Sequence, residues 1–381
     1  MKIAHIDFTG TFNEEMTYQE SILAEENALD GNSVIVITTC YRWNEKGEIV
    51  KVKEERKKLD KGYILIRMPY KKYINNAITN KIRDVEKRKL YYILDEFKPD
   101  IIILHCLQTF AINYIAKYCK EKKIRFVCDT HTNYFNSAKN IMSKYILHKV
   151  IYKKWIKNNY KNIDKIYYIG YEEKHFFNTI YNIKDEKMEY LPLGGKILPD
   201  EIRMRLRYEF RKKNNILNNE ILFIAAGKFD KNKRLDVIIR CFISAKTDSK
   251  LIIAGSIDNY TKKLIGNNID NGKIIYIGFV KGNELINILC ACDIYLQPFA
   301  ISAIAENAIC AGCALILKNT LSYQEMVKEN GFLINDNDSE ELISCMKKIS
   351  DNNILKKMKK KSLEIAKQKY DYKIIAKKII S

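Results

Sequence analysis

Along this chain short apolar runs alternate with amphipathic stretches. "KIAHIDF" (2–8), "SVIVITT" (33–39), "GYILIRM" (62–68), "DIIILHC" (100–106), "IRFVCDT" (124–130) and "KIYYIG" (165–170) are nearly continuous in apolar residues. Strands buried on both faces of a parallel sheet have this pattern, because neither face meets water. Helical periodicity occupies 17–30, 76–97 and 110–122 between them. "YLPLGG" (190–195) then breaks the pattern with Pro192 and two glycines, and a charged helix is expected over 199–213. A second set follows: "ILFIAAG" (221–227), "SKLIIAGS" (249–256), "KIIYIGFV" (273–280), "DIYLQPF" (293–299), "CALILKN" (313–319) and "GFLIND" (331–336). Strand–helix alternation twice over predicts two doubly wound α/β domains, 1–195 and 196–352. The remaining residues, 353–381, read as a lysine-rich helical tail expected to pack back toward the N-terminal domain. In such sheets ligands sit beyond the C-terminal ends of the strands.

Composition narrows the choice of chemistry. A chain of 381 residues is too long for one ordinary core, and a hydrophobic fraction of 47% supplies two. No apolar run reaches the roughly 18 residues that span a bilayer. Asp7 interrupts the N-terminal run too early for a signal peptide, so a cytoplasmic location is expected. The ten cysteines are scattered. Cys310 and Cys313 have C-x-x-C spacing, but with no second pair and no nearby histidine they read as buried reduced thiols, not zinc ligands. No other cluster has metal spacing. The net charge of +20 is spread over both halves and favours anionic partners. Nucleic acid is disfavoured, since no recognition motif or aromatic platform accompanies the charge. A dehydrogenase is disfavoured because no G-x-G-x-x-G follows the first strand.

Two stretches at strand ends carry candidate chemistry. "GKFDKNKRLD" (227–236) sets Lys228, Lys231, Lys233 and Arg234 on the turn after an apolar strand. Lys228 and Lys233 bracket that turn, close enough to serve one anion. A departing diphosphate concentrates negative charge at the broken bond, and preorganised cations would stabilise that transition state. A solvated basic turn is the competing reading. In "DIYLQPFAISAIAENAICAGCALIL" (293–317) a helix is expected from Ser302, an N-cap residue, to Gly312, a C-cap residue. The amides at its N-terminus, including Ala303, would form an anion site. Glu306 lies one turn in, where its carboxylate could accept hydrogen bonds from vicinal hydroxyls; an ordinary exposed helix glutamate is the alternative.

Taken together, "GKFDKNKRLDVIIRCF", "LIIAGS", "IYIGFV", "CDIYLQPF", an acidic residue before "A..AG", and "GFLIND" resemble, in order and spacing, the retaining GT-B glycosyltransferases of glycosyltransferase family 4 (group 1). The resemblance covers about 220–340. More weakly, "HIDFTGTFNEEMTYQE" and "FVCDTHTNYFNSAKN" resemble acceptor-domain loops of bacterial cell-surface polysaccharide transferases. The resemblance implies two Rossmann-like domains facing across a cleft, the first binding the acceptor and the second the donor. It implies metal-independent transfer, with no cofactor, from a UDP- or GDP-linked sugar to a saccharide or lipid-linked saccharide acceptor, with retention. Lys228 takes the family's arginine place and Lys233 its lysine place, as catalytic residues on the diphosphate. His131 would stand near the donor sugar. Glu306 would hold the ribose, Phe279 and Val280 the base, and Gly10 and Thr11 would approach the diphosphate. The chain departs from the family at one point. The usual glutamate pair is reduced to Glu306, and Pro298 stands eight places before it.

Residues 139–165 carry eight lysines and one aspartate, with Ile141, Tyr145, His148, Tyr152 and Trp155 at α-helical spacing. A basic amphipathic face of this kind suits an anionic membrane surface, such as the inner face of the plasma membrane; a core-facing stripe is the alternative. A sugar-nucleotide epimerase of the same architecture and a catalytically weak sugar-nucleotide-binding subunit are the other functional readings.

Overall fold

A computed structural model describes residues 1–14, 18–43, 48–70, 85–183, 186–265, 272–335 and 338–381. The chain divides into two compact units, Met1–Pro192 with Ile375–Ser381, and Leu193–Ile374. Each is a Rossmann-like α/β domain.

The first unit contains β1 (Lys2–Asp7), β2 (Ser33–Thr39), β3 (Tyr41–Trp43), β4 (Ile49–Lys51), β5 (Glu55–Lys58), β6 (Ile64–Met68), β7 (Ile101–His105), β8 (Arg125–Thr130), β9 (Lys165–Tyr168) and β10 (Met188–Tyr190). Its sheet runs β10-β9-β8-β7-β1-β2-β6-β5, parallel except for β5, while β3 and β4 form a separate antiparallel ribbon. Successive residues of one strand enter opposite cores. Ala4, Ile6, Ile102 and Leu104 join one cluster, and Ile3, Val34, Ile101 and Ile103 join the other. Burial on both faces is therefore why these strands carry unbroken apolar runs. The edge strand β5, "ERKK", has no such run. Charge on an edge strand discourages pairing with other chains, and it also hides the strand from a hydrophobic pattern.

The second unit repeats the scheme with β11 (Ile221–Ala226), β12 (Ser249–Ala254), β13 (Ile274–Gly278), β14 (Ile294–Gln297), β15 (Ala314–Lys318) and β16 (Gly331–Ile334). They are ordered β13-β12-β11-β14-β15-β16, all parallel. Phe223, Ala225 and Leu296 face one core, Leu222, Ile224 and Tyr295 the other. A carboxylate immediately before β14 breaks this apolar interior. Asp293 is buried and meets Arg211 at 2.7 Å, Arg207 at 3.0 Å and Lys359 at 2.5 Å. These cations hold its pKa below the ordinary carboxylate value, against the burial that would raise it.

Most expected helices appear, as Gln19–Leu29, Ile112–Lys122 and Asp200–Lys213. The helix expected over 76–97 is seen from Lys87 to Phe97, and 71–84 lie outside the described residues. The expected tail 353–381 is divided. Helix Asn352–Lys369, capped by Asp351, belongs to the second unit, where Ile365 and Ala366 join its core. Residues 375–381 belong to the first unit, where Ile375, Ala376 and Ile379 are buried and the Tyr167 hydroxyl donates to the Lys378 carbonyl at 2.8 Å.

The segment from Met142 to Tyr152 is a π-helix, followed by α-helix Lys153–Asn159. Its i→i+5 bonding lengthens the side-chain repeat beyond 3.6 residues. The stripe expected at α-helical spacing is accordingly split. His148 and Tyr152 are buried and Trp155 is partly buried, while the face bearing Ile141, Met142, Tyr145, Ile146 and Val150 is exposed. Among the described residues no helix is long and apolar enough to cross a membrane.

Candidate active site

In the second unit the candidate residues gather at the C-terminal end of β11. Gly227 follows that strand with φ of 130° and lies against Gly255 so closely that a Cβ on Gly255 would fall 1.8 Å from the Gly227 carbonyl oxygen. Both positions require glycine. A Cβ on Gly227 would lie 2.5 Å from Lys233 Nζ and 3.5 Å from the Ile304 side chain. The sheet end, the basic turn and the start of helix Ile304–Ala311 thus converge around one point. The turn is fixed by Asp230, whose carboxylate accepts the amides of Asn232 at 3.0 Å and Lys233 at 3.3 Å.

The four cations of this turn are not equivalent. Lys233 is partly buried, with no carboxylate at ion-pair distance among the described residues, and burial pulls its pKa down, with Asp230 opposing. A half-buried cation with no carboxylate at ion-pair distance is unfavourable by itself, and a bound anion removes the deficit. Lys233 stands 5.8 Å from the ring centre of Phe229, while Lys231 is closer to Tyr260, at 4.6 Å, and Arg234 to Phe299, at 4.9 Å. Lys228 is exposed and is not drawn into the Lys233–Gly227 contact.

Ser302 precedes the helix, which begins at Ile304. Its amide donates to the Tyr323 hydroxyl at 2.7 Å, and that hydroxyl donates back to the Ser302 carbonyl at 3.0 Å, so Tyr323 pins the loop. Ser302 Oγ accepts the Ile304 amide only at 3.4 Å. Ala303 is exposed. Glu306 lies in the first turn but is buried, and its Oε2 accepts the Gly194 amide. Part of its hydrogen-bonding capacity therefore goes to the "LPLGG" segment. Phe279 is exposed, and Val280 is half-buried against the core. Sequence reasoning missed Gln297, which ends β14. It is buried, and both its amide atoms lack a partner among the described residues.

In the first unit His131 follows β8, and the signal that extends its role was the Asp-x-His spacing. Asp129 Oδ1 stands 3.2 Å from His131 Nε2 and accepts the Cys106 amide at 2.6 Å, while Oδ2 lies 2.5 Å from His105 Nδ1. The line continues inward, with His105 Nε2 at 2.9 Å from His5 Nδ1 and His5 Nε2 at 3.2 Å from the Asn27 amide. Three histidines and one carboxylate thus form a connected polar line inside an apolar sheet. Burial would raise the Asp129 pKa, but His105 and His131 hold it well below the usual carboxylate range. Burial would lower His131, but Asp129 overrides it and lifts the imidazole to about 9. His5 is pushed down, first by burial and then by His105.

The Gly10 amide donates to Asp7 Oδ1 at 2.8 Å, and the Thr9 amide does so at 3.1 Å. Thr11 is half-buried beside them. Asp7 itself is raised to about 6, by burial and then by Glu20, against those two amides and His105. The amide expected to approach a diphosphate is therefore already committed to a carboxylate. Among the described residues no group of three or more His, Cys, Asp or Glu side chains could hold a metal ion.

Known proteins resemble both the sequence and the fold. Residues 207–369 match the family model of the glycosyl transferases group 1. An uncharacterized glycosyltransferase of Methanocaldococcus jannaschii is 30% identical over 162 residues, 39% of this chain and 41% of that protein. The match thus spans about two-fifths of that relative's length. Sucrose-phosphate synthase from Thermosynechococcus elongatus superposes with a TM-score of 0.70 at 14% identity, over 99% of this chain and 97% of its own. The HepE protein of Anabaena, solved in complex with UDP, superposes with a TM-score of 0.67 at 14% identity, over 100% of this chain and 98% of its own. The chain has the GT-B fold of these glycosyltransferase structures.

The His131–Asp129 pair generates a direct expectation. With a folded pKa near 9 against about 6.5 unfolded, protonated His131 stabilises the fold fully below pH ~6.5, and that contribution is lost as pH rises through about 9. In Asp129→Asn only the weaker charges of Glu20 and Glu173 oppose burial, so the His131 pKa should fall from about 9 and the alkaline loss of stability should flatten. Proton NMR titration of the histidines reads this; an unchanged His131 titration would contradict the pairing.

Proposed function

We propose that this chain is a retaining glycosyltransferase of the family 4 type that moves a sugar from a UDP- or GDP-linked donor to a saccharide or lipid-linked saccharide acceptor, in surface-glycan synthesis. The observation that carries this reading is Lys233, half-buried over Gly227 beside the start of helix Ile304–Ala311 and without a carboxylate partner among the described residues. A diphosphate placed there would meet an ammonium and the positive end of a helix. The group 1 match over 207–369 supports the reading, as does the fold shared with a protein solved in complex with UDP.

In the proposed mechanism the second unit holds the donor and the first binds the acceptor. Lys233, with Lys228 from the same turn, neutralises the charge that gathers on the leaving diphosphate as the glycosidic carbon–oxygen bond breaks. That charge is larger in the transition state than in the bound donor, so the cations accelerate the step as well as bind. Backbone groups at Ala303 serve the diphosphate, those at Phe279 and Val280 the base, and Glu306 the ribose. His131, held by Asp129, acts on the sugar side, and Gly10 and Thr11 shape the end of β1. No metal ion is assigned a role, because the cations of the turn supply the charge. Epimerase chemistry is not favoured, since the matched family is one of transferases.

We further propose that the exposed π-helical face rests on an anionic bilayer. Ile141 is 77% exposed and Val150 59%, and lysines 144, 149, 153 and 154 accompany them. Apolar area and lysines together give reversible interfacial binding, with each lysine contributing about 1 kcal/mol near the surface.

The transferase reading is tested by turnover. Free UDP or GDP should be released only when a lipid-linked saccharide extract of the host is supplied, whereas an epimerase would convert donor alone and a binding subunit would do neither. Lys233→Ala should lower kcat about a hundredfold, the ~3 kcal/mol expected for one lost transition-state donor, with a smaller change in KM. Lys231→Ala should stay within a few-fold of the parent. Equal small losses at both lysines, relieved by salt, would reduce the turn to a diffuse basic patch.

The membrane proposal predicts that the full chain sediments with phosphatidylserine vesicles and that the combined Ile141→Ser, Ile146→Ser and Val150→Ser variant does not, with its circular dichroism retained. Sedimentation unaffected by that variant would remove the face from membrane binding.

A further inference from the structure

The first unit contains a cavity of about 310 Å³ at the C-terminal ends of β1, β7 and β8. It lies beside the switch point where β1 has β7 on one side and β2 on the other, the place where doubly wound sheets bind ligands. Its size is at the low end for ligand cavities. At about 30 Å³ per water it has room for about ten waters, enough for one monosaccharide ring but not for a nucleotide.

The lining is unusual for this chain. In a sequence that is 29% charged, no Lys, Arg, Asp or Glu side chain among the described residues lines the cavity. Hydroxyl and amide groups do, including Thr9, Gln108, Thr109, Thr132, Asn136 and Ser137, with aromatic surface from Phe8, Tyr70 and Tyr152. The polar groups are held in place by one another. The Gln108 amide donates to the hydroxyls of Thr130 at 2.9 Å and Thr132 at 2.8 Å. Ser137 Oγ lies 2.9 Å from His148 Nε2, and His148 Nδ1 lies 2.9 Å from the Tyr181 hydroxyl. Burial, aided by Asp129, pushes the Cys106 thiol up to about 12, so this lining group is also neutral near pH 7.

We propose that this cavity binds one uncharged sugar unit of the acceptor, and that it excludes uronic acid and phosphorylated sugars. The assignment rests on the transferase reading above. Each sugar hydroxyl both donates and accepts, as do the hydroxyl and amide groups of this wall, while the aromatic rings suit the apolar face of a pyranose. A carboxylate or phosphate placed here would lose its hydration and meet no lysine or arginine among the described residues of the wall, which is strongly unfavourable. Because the wall is already ordered by its internal hydrogen bonds, little entropy remains to be lost when a sugar enters.

Saturation-transfer NMR on the full chain tests the assignment with methyl glucoside, methyl galactoside and methyl N-acetylglucosaminide as neutral probes, and methyl glucuronide and glucose 6-phosphate as charged ones. At least one neutral glycoside should bind, and the charged probes should bind at least tenfold more weakly. Thr132→Trp should fill the cavity and abolish glycoside binding, and Thr132→Val should weaken it several-fold. UDP titration of the same samples is the separate arm. Retained circular dichroism shows that the variants are folded, and absent UDP binding in the parent would count against the donor reading alone. Equal binding of charged and neutral probes, no glycoside binding, or undiminished binding to Thr132→Trp would overturn the proposal. UDP-glucose that displaced the glycoside where UDP did not would assign the cavity to the donor's own sugar, and would overturn the acceptor assignment.

Discussion

A parallel strand buried on both faces has little place for a polar side chain except at its ends. Both units are built on this constraint. In the second unit β11 is apolar from Ile221 to Ala226 and reaches chemistry only at Gly227. In the first, Asp7, His105 and Thr130 are the last residues of β1, β7 and β8, and the candidate cavity opens just beyond them. The polar groups are gathered at one edge of each sheet because the interior excludes them. There they are partly dehydrated, and charge interactions are stronger than they would be in water.

His5, like Arg67 in β6, is an exception, and it shows how strict the constraint is. It sits inside β1, fully buried, and is retained only because both ring nitrogens find partners, in His105 and Asn27. The line from Asn27 to His131 draws on a helix and three separate strands. Nothing local in the sequence announces it; the parallel register creates it, setting Asp7 beside His105 and Leu104 beside Cys128. Asp129 was legible only as a neighbour of His131 in "DTH". Its role as hydrogen-bond partner of His105 and a backbone amide, with His131 at ion-pair distance, belongs to the fold.

The architecture itself was readable because dual burial writes an unbroken apolar run. Where burial is one-sided or the helix is not an α-helix, the reading failed for physical reasons. The charged edge strand β5 carries no apolar run. In the π-helix the longer repeat places Ile146 and Val150, not His148 and Tyr152, with Ile141 on the exposed face. Among candidate site residues, Lys233 converges with Gly227 and the helix at Ile304, and His131 gains a carboxylate. Glu306 and Gly10, by contrast, have hydrogen-bonding capacity engaged by Gly194 and Asp7, which spacing alone could not reveal.

The central claim is that the point where Gly227, Lys233 and Ile304 meet holds a nucleoside diphosphate. Calorimetric titration of UDP and GDP into the parent and into Gly227→Ala tests it most directly. A Cβ at 227 would occupy the place of the Lys233 ammonium, in a backbone conformation that disfavours any side chain. The account predicts that the parent binds at least one of the two nucleotides and that the variant, folded by circular dichroism, binds at least tenfold more weakly. Equal affinity in a folded Gly227→Ala protein would contradict it.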